Sequence, residues 1–175
     1  QPVSVPEVQA ENRSGYEIDT VRTGGLAVAV LVRLGFCGGE LGVTYVTAGE
    51  MAQLNHEYMG REDATDVLSF PLEAGAAEVE AGFLAELEAE EQVILASLMS
   101  SPGSGSDEVP LLLGDVVICP EVAEGQAARL GNTMARELCL LLVHGILHIA
   151  GYDHESDDGR MEQLQKKLFD EMCVE

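Results

Sequence analysis

Three of the four histidines in this 175-residue chain, His144, His148 and His154, fall within one eleven-residue stretch, and their spacing limits how the backbone can run. On an α-helix, residues four apart point the same way one turn above each other, so His144 and His148 can grip one ion from a single face. His154 cannot join them on a continuing helix, because at about 100° per residue six further residues carry it about 240° around the axis. The helix must break first. Gly151 is the residue that can break it, since a glycine just past a helix end takes the left-handed conformation without a side-chain clash and turns the chain back. A lone histidine in the apolar run from Leu138 to Ala150 would read as a hydrogen-bonded core residue. Two at helical spacing, a glycine break and a third at the right offset read instead as metal ligands. Imidazole suits zinc, copper, nickel or iron, and zinc is the commonest choice for a redox-silent site. The expectation is one Zn2+ per chain held by His144, His148 and His154. Three protein ligands with no cysteine nearby leave a fourth position open, as in catalytic rather than structural sites.

The same spacing occurs in the metzincin protease pattern HExxHxxGxxH, whose glutamate after the first histidine is the general base of peptide hydrolysis. Gly145 stands in that place here, so a protease of that kind would lack its base.

Length and 46% hydrophobic residues fit one domain with a real core. No apolar run reaches the length of a membrane span and nothing at the amino end resembles a signal peptide, so a soluble cytoplasmic protein without membrane association is expected. Cys37, Cys119, Cys139 and Cys173 are scattered, without a CxxC pair, and read as reduced thiols, mostly buried. Acidic residues number 31 against 9 basic ones, for a formal net charge of −22. Such a chain repels polyanions at long range, so a nucleic-acid substrate must be held by a local basic patch, by the metal, or through another protein. The same excess of acid over lysine also suits a salt-adapted cytoplasm.

Along the chain, Val3, Val5 and Val8 suggest an extended segment over 3–12, and apolar periodicity suggests a helix from Ile18 to Leu34. The β-branched run Leu41–Val46 predicts a strand. Thr47 with Glu50 three residues later has the capping-box pattern of a helix start, and Gly60 ends that helix. Asp66–Pro71 and Leu111–Cys119 predict two further strands. Residues 73–109 are Ala/Glu-rich, with a plausible exposed helix over 82–99, and then turn to Ser/Gly/Pro linker chemistry, so a flexible acidic insertion is expected there. Pro120 starts a helix that Gly131 closes, Asn132 can cap the histidine helix, and Ser156 can cap a last helix whose inner face is Met161, Leu164, Leu168 and Met172. The order β-α-β-α-β-(insertion)-β-α-α-α predicts a single α+β domain over 1–175. One small mixed sheet would be backed by helices, with the histidine helix at the centre.

The stretch from His144 to His154, together with Thr65–Pro71 and Leu113–Pro120, resembles the YbeY family of metal-dependent endoribonucleases, and Met51–Gly60 and Val122–Gln126 fit it too. The resemblance covers most of residues 11–170 outside the insertion. It implies a zinc-containing, single-strand-specific RNA nuclease acting in ribosomal RNA maturation, especially at the small-subunit 3′ end, and in ribosome quality control. It also implies an α+β fold with the zinc in a cleft, ligated by the three matched histidines. Two positions depart from the pattern. Met59 stands where the family often has an arginine, with Arg61 two places on, and Ala64 replaces a proline. If that arginine steadies the phosphate, Arg61 is the candidate catalytic residue here; otherwise it is a plain surface charge.

The expected mechanism is Lewis-acid stabilisation of the charge that builds up as an RNA phosphodiester is cleaved. No carboxylate is placed obviously as general base. Asp153 is a candidate to orient a ligand imidazole, whereas Asp66, Asp115 and Ser69 read as turn or hydrogen-bonding residues and His56 as a surface residue. Two other readings stand beside this one: a ribosome-assembly factor with a mainly structural zinc, whose acidic surface meets basic small-subunit proteins, and a protease-like hydrolase acting on a substrate other than RNA.

Overall fold

The computed structural model describes residues 5–72, 111–152 and 159–173; the expected insertion at 73–109, with the helix expected inside it, lies outside the described residues. Among the described residues four strands and five helices follow in the predicted order: β1 (Glu7–Asn12), α1 (Thr20–Arg33), β2 (Glu40–Tyr45), α2 (Ala48–Met59), β3 (Val67–Pro71), β4 (Leu112–Ile118), α3 (Pro120–Leu130), α4 (Met134–Ile149) and α5 (Arg160–Met172). The fold is α+β, as expected. None of these helices is long and apolar enough to cross a membrane.

Local chemistry places the ends. Asp19 caps α1 by accepting from the Arg22 N–H at 3.0 Å, and Thr47 caps α2 by accepting from the Glu50 N–H at 3.2 Å. Only half of the expected capping box forms, because the Glu50 carboxylate turns to Arg13 at 2.9 Å. Gly60 and Gly131 close α2 and α3 in the left-handed conformation. Two caps differ from expectation. Thr133, one residue after Asn132, caps α4 by accepting from the Arg136 N–H at 3.2 Å, while the Asn132 amide reaches the Glu137 carboxylate at 3.5 Å. The last helix starts at Arg160 with Gly159 at its cap position, and Ser156, the expected cap, lies outside the described residues.

The sheet order is β1-β2-β4-β3, with β1, β2 and β4 parallel and β3 antiparallel at one edge, so it is mixed as predicted. Strand alternation sends Leu41, Val43 and Tyr45 to the larger core, which α1, α4 and α5 cover with Leu31, Leu142, Ile146, Met161 and Leu168. Val117 and Cys119 face the opposite way and meet Met51 of α2 and Val122 of α3 in a smaller cluster. The register slips between Glu40 and Leu41, so Leu113 is an extra residue on β4 and swings into the larger core. Gly114, next to it, has φ +146°, and a methyl group there would run into the Phe70 carbonyl and lie 2.8 Å from Ile149 Cδ1.

Helix α4 is the central element, touching α1, α3, α5, β3 and β4. Leu141, Leu142, Val143, Ile146, Leu147 and Ile149 are all buried in it, the signature of a helix enclosed on most sides. Helix α5 crosses it with Met161 and Leu168 in the core. One sequence expectation fails here. Cys139 of α4 and Cys173 after α5, 34 residues apart, are joined in a disulfide with Cα atoms 6.1 Å apart, within the span such a bridge needs. Their separation in sequence concealed a closeness that only the α4–α5 packing creates. Cys37 and Cys119 form no disulfide, as expected of reduced thiols.

The Gly114→Ala variant is expected to lose about 2–4 kcal/mol of stability through backbone strain and overpacking between β3 and α4. Gly125→Ala, in open space on α3, should be neutral or gain up to about 1 kcal/mol. Midpoints of urea unfolding at unchanged slope measure both, and equal midpoints would refute the steric account.

Candidate metal centre

In the stretch from Leu141 to Ala150 every residue is buried except His144 and His148, which are half-buried. These two imidazoles are thus the side chains of that stretch that reach towards the surface. Their ring centroids lie 4.6 Å apart at an interplanar angle of 77°, and the two Nε2 atoms are 3.1 Å apart. Two nitrogens each about 2.05 Å from one tetrahedral zinc would be separated by about 3.3 Å. The observed spacing therefore fits two ligands converging on a shared ion. His144 Nδ1 meets Gln165 Oε1 at 2.7 Å. An amide oxygen only accepts, so Nδ1 carries the ring proton and Nε2 presents a lone pair towards His148.

The chain turns just beyond these residues. Ala150 caps α4, Gly151 takes φ 96°, its N–H donates to the His148 carbonyl at 3.0 Å and the Tyr152 N–H donates to the Leu147 carbonyl at 3.0 Å. This paired closure is a Schellman motif, the break that the histidine spacing demanded. His154 and Asp153 lie outside the described residues. Among the described residues no third histidine, cysteine or carboxylate joins His144 and His148.

Gly145 answers the question of the missing glutamate. A methyl group on it would sit 2.6 Å from Val116 Cγ1 and 3.3 Å from Ser69 Oγ, and the Ser69 hydroxyl donates to the Gly145 carbonyl at 2.9 Å. The position is pressed against the sheet, with no room for a general base. Ser69 is thus a structural lock between β3 and α4. Asp66 has the turn role expected of it, accepting from the Val67 N–H at 2.8 Å, and Asp115 is exposed over Gly42. His56 is exposed on α2, as predicted. Cys119 is no alternative ligand or nucleophile, because burial pushes its thiol pKa up.

Arg61 is exposed, in the loop after α2. Buried Asn55 fixes that loop through its side-chain amide, which donates to the Asp63 carbonyl at 2.7 Å, while the Asn55 carbonyl accepts the Arg61 N–H at 3.3 Å. The structure therefore brings His144 and His148 together and adds Gln165, which sequence reasoning passed over. Its signal was a polar residue inside the apolar stripe Met161, Leu164, Leu168.

The family model described as endoribonuclease YbeY matches residues 22–173, from the first turn of α1 to the end of α5, with His144 and His148 inside it. The chain belongs to the YbeY endoribonuclease family. Relatives named endoribonuclease YbeY include those of Salinispora tropica, 38% identical over 165 residues covering 93% of each chain, and of Acidothermus cellulolyticus, 39% identical over 93% of this chain and 88% of its own. That of Mycolicibacterium smegmatis is 35% identical over 171 residues, 96% of this chain and 84% of its own. Among solved structures, TM1509 from Thermotoga maritima matches with a TM-score of 0.54 at 25% identity, over 94% of this chain and 88% of that one. The YbeY match runs through the β3 and β4 segments that hold Ser69 and Val116, so the close seat of Gly145 lies within the family's matched region.

Replacing Gly145 by alanine is expected to lower the thermal midpoint by about 4–8 °C, the equivalent of about 2 kcal/mol in a chain of this size. Gly145→Glu should fall further and acquire no casein-cleaving activity. A stable, proteolytically active Gly145→Glu protein would overturn the packing argument.

Proposed function

We propose that this chain is a zinc-dependent endoribonuclease that cuts single-stranded RNA, matures ribosomal RNA at the small-subunit 3′ end and takes part in ribosome quality control in the cytoplasm. The observation that carries this reading is the convergence of the two Nε2 atoms at 3.1 Å on half-buried residues of the otherwise buried stretch 141–150, in a chain of the YbeY family. His144 and His148 are two ligands, and His154, which follows the turn at Gly151 in sequence, is the third. Zinc, when bound, supplies Lewis acidity towards the phosphodiester and an acidified water.

The chain's own residues do the rest. The Gln165 carbonyl oxygen keeps the His144 ring proton on Nδ1. The Schellman closure ends the helix immediately after the second histidine, and the Ser69–Gly145 contact keeps α4 from sliding along the sheet. Arg61, on the loop that Asn55 fixes, is the proposed catalytic contact to a phosphate oxygen, because an exposed guanidinium presents a planar fork of donors to it. Three of the nine basic residues, Arg160, Lys166 and Lys167, are exposed on α5, the helix that carries Gln165, with Lys166 paired to Asp170 at 2.8 Å. The whole chain acts as a single hydrolase domain carrying an acidic insertion at 73–109. A net charge of −22 also favours a second set of contacts, with basic small-subunit ribosomal proteins or assembly factors.

Zinc-loaded protein is expected to cleave single-stranded RNA and to spare duplex RNA. His148→Ala should cut activity by at least about 100-fold, matching loss of a group that makes metal-ion catalysis possible. Arg61→Ala should lower kcat by about 10–100-fold with zinc content unchanged, the loss of roughly one to two charge-assisted hydrogen bonds to the transition state. Equal cleavage by wild type and His148→Ala would defeat the nuclease mechanism. A preparation without RNA cleavage whose ribosomal-protein contacts dissolve at high salt would favour the assembly-factor reading.

A further inference from the structure

Gln165 lies on the inner face of α5, between Met161 and Leu168, both buried, and beside partly buried Leu164. A side-chain amide at such a place is unfavourable unless its polar atoms find partners. Its Oε1 finds one on another element, His144 Nδ1 at 2.7 Å, 21 residues away in sequence. We propose that Gln165 is the positioning residue of the metal centre, fixing both the tautomer and the aim of His144 so that its Nε2 lone pair is turned towards Nε2 of His148. The inference rests on the metal-site reading above and deepens it.

Three features support this role over a purely structural one. First, the contact is not needed to dock α5 on α4, since Met161 and Leu168 are already fully packed in the core and Cys139–Cys173 ties the two helices covalently. Second, the choice of atom is specific: a hydrogen bond donated by Nδ1 puts the ring's lone pair on Nε2, and Nε2 is the atom that faces His148 at 3.1 Å. Third, ligating histidines depend on an acceptor for the other ring nitrogen. Loss of such acceptors typically costs about 10–100-fold in metal affinity.

The variants Gln165→Met, which keeps volume without the acceptor, and Gln165→Glu, which keeps the acceptor and adds charge, separate packing from positioning. Zinc affinity is measured by competition with a chromophoric chelator for these two, the wild type and His148→Ala. The tautomer of His144 is read by two-bond 1H–15N correlation spectra of the metal-free proteins. Gln165→Met should bind zinc about 10–100-fold more weakly than wild type and lose the dominance of the Nδ1–H tautomer, with a metal-free thermal midpoint within about 3 °C. Gln165→Glu should restore both affinity and tautomer. If Gln165→Met binds zinc within twofold of wild type, or keeps the Nδ1–H tautomer, the proposal is overturned. Should wild type bind zinc no better than His148→Ala, it is the metal-site reading that fails, and the tautomer spectra then decide alone whether Gln165 sets the His144 ring.

Discussion

The seating of helix α4 on the sheet is the constraint from which the rest of the architecture follows. At Gly145 the helix backbone comes so close to Val116 and Ser69 that a single methyl group would collide. This contact fixes the rotation of α4 about its axis, because a helix that meets a sheet through a glycine cannot roll without driving a side chain into β4. With that rotation fixed, Leu142, Ile146 and Ile149 point into the larger core, and His144 and His148 are left on the exposed side. The placing of two polar rings in the otherwise buried stretch 141–150 of that helix and its cap is thus a consequence of packing density. It also explains why the position after the first histidine holds no acid: whatever chemistry the histidines support, that position belongs to the fold.

Helix α5 holds the opposite side of the same arrangement. It is bound to α4 through the core near Met161 and Leu168, through Cys139–Cys173 at one end, and through Gln165–His144 in between. Arg33 of α1 adds an ion pair to Glu171 at 3.1 Å with its own side chain nearly buried, and Arg136 of α4 lies over the Phe169 ring at 4.9 Å. These contacts confine the sliding and tilting of α5 relative to α4. A hydrogen bond between side chains on two helices holds a ring in orientation only when the helices themselves do not shift. The disulfide and the core contacts therefore supply the rigidity that the Gln165–His144 pair uses.

Element order was readable because period-two and period-3.6 apolar patterns are local, and so were the closures at Gly60, Gly131 and Gly151, where only a residue without Cβ passes easily into the left-handed region. What escaped the sequence was non-local or depended on a single residue of register. Thr133 rather than Asn132 caps α4 because both are good cap residues and only the backbone path chooses between them. Glu50 left its capping box because Arg13, 37 residues earlier, offered a full opposite charge. Cys139 and Cys173 met because α5 packs back across α4, which no spacing rule encodes. Of the centre itself, the helical pair His144 and His148 was legible from the four-residue interval, whereas Gln165 was not, since one polar residue in an amphipathic stripe reads as an interruption until its partner is known.

The net charge of −22 makes the proposed substrate a physical problem as well as a chemical one. An RNA strand approaching from solution meets a repulsive field, so productive encounter depends on charge concentrated within a Debye length of the centre, about 8–10 Å at physiological salt. Arg160, Lys166 and Lys167 are exposed on the helix that carries Gln165, although Lys166 is partly engaged with Asp170 at 2.8 Å. A divalent cation bound by His144 and His148 would add positive charge at their half-buried face of α4. A metal held by His144 and His148 would supply two separable effects, attraction of the phosphate and stabilisation of the charge that develops on it. The first depends on ionic strength in a distinctive way: added salt screens the long-range repulsion by the chain's acids and the short-range attraction at the centre together, but the repulsion, acting over the larger distance, is lost first. Association with RNA should therefore strengthen before it weakens as salt is raised, the reverse of the monotonic decline that a basic nuclease obeys.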